Sequence, residues 1–99
     1  MVVVAPGAWE LAYMQAAPLP EKVASAFSEI TSALVGADYI PVLYCGEQVV
    51  HGTNHMIICE QKLVYDHKIM PENDPKHLVS MIINCSEQGN TLVEINKII

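Results

Sequence analysis

The residues best suited to chemistry are Cys45, Cys59, His51 and His55. A cysteine beside a histidine base is the arrangement of nucleophilic catalysis. Here all four fall in or beside strand-like runs that are expected to lie next to one another. No strand–turn–helix elbow surrounds either cysteine, and no glycine-rich phosphate loop occurs. His51 and His55 are four apart, a spacing that on a helix would present two metal ligands on one face. Gly52 and its β-branched neighbours predict a hairpin instead, with His51 at the tip and His55 an ordinary strand residue. Glu47, Glu60, Asp66, Glu72, Asp74, Glu87 and Glu94 are dispersed, so they read as solvated surface and as charge protection for exposed strands. The expectation is a protein that is not an enzyme and that carries neither metal nor cofactor.

The charge balance narrows the partners. Eleven acidic residues stand against five lysines, with no arginine, for a formal net charge of −6. Bidentate clamps on phosphate and base edges lean on arginine. A negative chain repels a nucleic-acid backbone and an anionic membrane surface. Nucleic acid and membrane are therefore not expected as partners. Cys45, Cys59 and Cys85 form an odd set without zinc spacing or a CxxC pair. Each lies in an apolar run, which predicts buried free thiols. One disulfide plus one free thiol is the alternative if the protein is exported. The start, Met1 to Gly7, lacks the basic residues and the long apolar run of a signal peptide. The expected compartment is the cytoplasm, an exported form with a removed signal peptide being the alternative.

These residues need elements to position them, and 99 residues at 52% hydrophobic content suit one domain with a real core. Residues 1–18 lack a clear period and read as an arm with partial strand character. Residues 20–35 read as a helix: Pro20 suits a first helical position, Glu21 complements the dipole, and Gly36 suits a left-handed end. Val23, Ala26, Phe27, Ile30, Ala33 and Leu34 recur at steps of three and four and make one apolar stripe. From 38 to 99 the pattern changes to period two and β-branched residues. Tyr39–Val50, Thr53–Val64, His77–Cys85 and Thr91–Ile99 read as strands, 65–76 as a loop and Ser86–Asn90 as a turn. Short turns force antiparallel neighbours. The expected fold is α+β, one N-terminal helix on a four-stranded antiparallel sheet.

The run Gln48-Val49-Val50-His51-Gly52-Thr53-Asn54 resembles the Gln-Val-Val-Ala-Gly-Thr-Asn of the stefins, the intracellular branch of the cystatins. His51 stands where alanine is usual. The run falls at the turn between the first two long strands after the helix, where a cystatin carries it. Tyr39-Ile40-Pro41-Val42 and His77-Leu78-Val79 resemble the flanking strands, Ser86–Asn90 falls at the family's second binding loop, and Gly7 at its N-terminal glycine. The second turn has neither the Pro-Trp of secreted cystatins nor the Leu-Pro of stefins.

The resemblance implies a single cystatin-like domain that acts as a reversible inhibitor. In that family three segments, the arm and two hairpin turns, form a wedge that enters the cleft of a papain-like cysteine protease without presenting a cleavable bond. Carried over residue by residue, the contacts are Gly7, Gln48, Val49, Val50, His51 and Gly52, with Gln88 and Gly89 from the second turn. The family's hairpins also exchange between chains, so a domain-swapped dimer is a further expectation. Two other readings stand beside this one. The first is a cystatin-like interaction or structural domain that inhibits nothing. The second is an enzyme or ligand carrier on the same sheet, which a concave pocket lined by His and Tyr would favour.

Overall fold

A computed structural model describes residues 9, 11–63 and 76–99. One helix, α1 (Glu21–Ser32), precedes four strands, β1 (Ala37–Val50), β2 (Gly52–Leu63), β3 (Lys76–Ser86) and β4 (Gly89–Lys97). The strands form one antiparallel sheet in the order of the chain, β1-β2-β3-β4. The architecture is the expected α+β arrangement, a helix packed on one face of the sheet.

The helix buries part of the stripe read from its spacing: Val23, Ala26, Phe27 and Ile30 are all buried. Its bounds differ from the expected 20–35. Pro20 is the N-cap, with ψ of 145°, and its carbonyl accepts the Ala24 N–H at 2.8 Å. The helix stops at Ser32 because its last carbonyls find other donors. The Thr31 hydroxyl donates to the Phe27 carbonyl and the Ser32 hydroxyl to that of Glu29. The Ala33 and Leu34 amides then close tighter turns onto Ile30 and Thr31.

The sheet answers with alternate residues. Ile57 and Cys59 of β2 and Val79, Met81 and Ile83 of β3 point at the helix and are at most 1% exposed. Burying such side chains stabilises by roughly 1.5–3 kcal/mol each. β1 is an edge strand, which accommodates Pro41, a residue without an N–H to donate. Register shifts after Pro41 and after Tyr44 put two irregularities into β1. The second explains a correction: Cys45, expected to be buried, is exposed there, while Cys59 is buried and Cys85 half-buried, all three unpaired.

Residues 11–18 contain no strand, contrary to the partial strand character expected of the arm; Ala17 donates one backbone bond to Pro41 on the β1 edge. The expected loop 65–76 lies outside the described residues apart from Lys76, which opens β3.

Candidate functional site

Two hairpin turns lie side by side at one end of the sheet. Val50 pairs with Gly52, Thr53 with Cys85, and Ser86 with Gly89, so the tip at His51 and the tip at Glu87-Gln88 share an edge. This is where seven of the eight expected contact residues come together: Gln48, Val49, Val50, His51 and Gly52 in the first turn, Gln88 and Gly89 in and after the second. Gly7 lies outside the described residues.

The first turn leaves a single residue, His51, between paired positions. Such a reversal needs a positive φ, and Gly52 adopts +83°. Glycine is required there for a second reason. A Cβ on Gly52 would stand 2.6 Å from the Cys85 carbonyl oxygen and 2.9 Å from the Ser86 Cβ. The first turn is thus pressed against the end of β3. A chain of amides fastens it further. Asn84 Nδ2 donates to the His51 carbonyl at 3.1 Å and to Asn54 Oδ1 at 2.9 Å, and Asn54 Nδ2 donates to Gln48 Oε1 at 3.3 Å. Three strands therefore hold one tip. Its flank is apolar and open: Val49 is 82% exposed and Val50 45%.

The second turn is built locally. The Ser86 hydroxyl donates to the Gly89 carbonyl and accepts from the Gln88 N–H, both at 3.2 Å. Its two tip residues, Glu87 and Gln88, are polar and exposed. Asn90, just past the turn, donates to Glu29 of the helix at 2.8 Å and ties this hairpin to α1.

Trp9 and Leu11 of the arm are elsewhere. They border a hollow of about 410 Å³ with Lys76, Lys97 and Ile99, at the far end of β3 and β4. That end is about 30 Å of strand from the turns, at ~3.3 Å per residue. Trp9 and Leu11 therefore do not lie beside the two turns, and Gly7, where the arm is expected to join them, lies outside the described residues.

The candidate catalytic pairings do not assemble. His55 is a strand residue of β2, as expected, buried on the helix-covered face, and its Nδ1 lies 2.8 Å from the Tyr44 hydroxyl. Burial, then Glu47 and Cys85, push the Tyr44 hydroxyl above its usual range, so it keeps its proton at neutral pH. Burial, then Cys45, pushes Cys59 up to about 12, so it stays a thiol at neutral pH; its Sγ bonds weakly to the Ile57 carbonyl at 3.9 Å. Burial, then Glu29, raises Cys85 as well. His51 is exposed at the tip and His55 is covered, so the pair offers no shared metal site. Among the described residues no three His, Cys, Asp or Glu side chains gather as a ligand set, and no helix is long and apolar enough to cross a membrane.

Asn84 is the functional residue that sequence reasoning missed. Its place opposite Asn54 depends on the β2–β3 register, which no local pattern reports. His55 was legible in principle, since it shares period two with Ile57 and Cys59. Comparison with known proteins adds no relative: no family model, no curated protein and no solved structure matches this chain.

Proposed function

We propose that this protein is a reversible inhibitor of papain-like cysteine proteases that docks through its first hairpin turn, with the second turn beside it. The observation that carries this reading is the first tip. Exposed Val49 and Val50 flank a one-residue turn that is held by Asn84, Asn54 and the end of β3. A preformed apolar tip loses little conformational freedom on entering a cleft, so a modest contact area can give useful affinity. A turn clamped from three strands also resists cleavage, because a protease needs an extended strand at the scissile bond. The cystatin-like string Gln48–Asn54 supplies the class of target.

The test is titration of papain or a cathepsin with the purified protein, against a Val49→Asp, Val50→Asp double variant. The wild-type chain is expected to inhibit at or below micromolar concentration and the variant to lose at least tenfold. Both valines are exposed, so the fold is retained in the variant. Gly52 is unsuitable for this purpose, since any side chain there meets the Cys85 carbonyl. Absence of inhibition by the wild-type chain overturns the reading.

One observation favours a second reading, a cystatin-like interaction domain that inhibits nothing. Glu87 and Gln88 give the second tip no apolar anchor at the rim of a cleft. Under that reading the titration is silent.

A further inference from the structure

The helix covers one face of the sheet. The other face of a half-covered antiparallel sheet is ordinarily polar. Here it is not. Register places Leu43, Ile58 and Ser80 in one cross-strand row and Gly46, Met56 and Ile82 in the next, all on the side opposite the inward-pointing Ile57, Cys59 and Met81. Leu43 is 55% exposed, and Ile40 and Met56 are each 41% exposed. Gly46 contributes no side chain, and a shallow hollow of about 360 Å³ opens there beside Met56 and Ile82, with exposed Cys45 on its rim.

We propose that this open face is the interface of a homodimer, in which a second copy of the chain packs the same face back to back about a two-fold axis. The inference does not depend on protease inhibition, because both turns lie at the end of the sheet.

The area is sufficient. Four strands at about 4.8 Å spacing, over about ten residues at about 3.3 Å, make a face of roughly 600 Å². Two such faces bury on the order of 1,200 Å² or more once side-chain relief is included, which reaches the range of specific interfaces. Two sheets stacked at about 10 Å interdigitate the side chains of their facing surfaces. A two-fold axis in the plane of the interface, between these two rows, sets Leu43 and Ile58 of one copy against the Gly46, Met56 and Ile82 row of the other, and the reverse, as an isologous contact requires.

The charge on this face is nearly balanced. On this face register puts Asp38, Glu60 and Glu94 with Lys62 and Lys76, three acids against two lysines, so it holds −1 of the chain's −6. Glu60 and Lys76 are themselves 3.9 Å apart. Two copies can therefore meet here without the repulsion that would separate them on other surfaces. The end of the face nearest the turns carries Gln48, Asn54 and Asn84.

Sedimentation velocity of the full chain, from low micromolar to several hundred micromolar, tests the proposal. A reversible, concentration-dependent dimer is expected. Met56→Lys and Leu43→Lys, both at exposed positions and each checked for native thermal unfolding, are expected to raise the dissociation constant about 30-fold or more, the loss typical of a central anchor. Alkylation of Cys45 is expected to slow at dimer concentrations and to recover in Met56→Lys. A monomer at every concentration overturns the proposal. So does a dimer indifferent to both substitutions, the behaviour of strand exchange. A monomer whose Cys45 resists alkylation overturns it too, because residues of the same chain then cover the face.

Discussion

The two turns share an edge of the sheet but are held in different ways. The first depends on residues distant in sequence: Asn84 reaches back 33 positions to the His51 carbonyl and 30 to Asn54, and the end of β3 fills the space a Gly52 side chain would need. The second depends on its own neighbours, since Ser86 bonds only two and three positions away. Both turns contain a glycine at positive φ, +83° at Gly52 and +126° at Gly89, yet nothing lies within 4 Å of where a Gly89 side chain would begin. The comparison shows that a glycine in a hairpin can answer either to the backbone alone or to the backbone and a neighbouring strand. Only the second kind couples a turn to the rest of the sheet.

Substitution separates the two. Gly52→Ala is expected to cost about 3 kcal/mol or more, combining a left-handed φ with a clash against a backbone oxygen engaged in the β2–β3 pairing. Gly89→Ala is expected to cost about 1–2 kcal/mol, the conformational part alone. Urea unfolding of both variants measures this, and equal losses would break the comparison. Asn84→Ala comes next. It leaves the His51 carbonyl to solvent and removes the link to Asn54, at about 1 kcal/mol. Amide hydrogen exchange around His51 is expected to quicken with no change at Glu87-Gln88. Ser86→Ala is the smallest, about 0.5 kcal/mol, with faster exchange confined to the second turn. If Asn84→Ala loosened both tips equally, the two turns would be one unit.

Much of this end of the molecule was legible in the sequence. The stripe from Val23 to Ile30 has the helical period, Ile57-Cys59 and Val79-Met81-Ile83 have the period of two, and Gly52 and Gly89 mark the reversals. These are local signals, and local physics produces them. What the sequence hid is non-local or competitive. The helix ends early because the Thr31 and Ser32 side chains take carbonyls that helix continuation would use, while Leu34 keeps the apolar stripe going. Cys45 escapes burial because a register shift in β1 interrupts the alternation around it. The Asn84 clamp needs the pairing of β2 with β3, which joins segments separated by residues 64–75. The position of Trp9 and Leu11 at the far end, near Lys76 and Lys97, has no local signature at all.

The order of the strands bears on how the chain folds. Each strand pairs with its neighbour in sequence, and two of the three reversals use one or two residues. Contacts of that kind form quickly, because little loop entropy is lost before they are made. The helix is the exception, since Glu29 meets Asn90 across 61 positions and the α1 stripe rests on β3 and β4. Its docking is then expected to follow the zipping of the hairpins. Val23→Ala would in that case raise the unfolding rate and leave the folding rate nearly unchanged in a denaturant chevron. A slowed folding limb would place the helix in the nucleus instead.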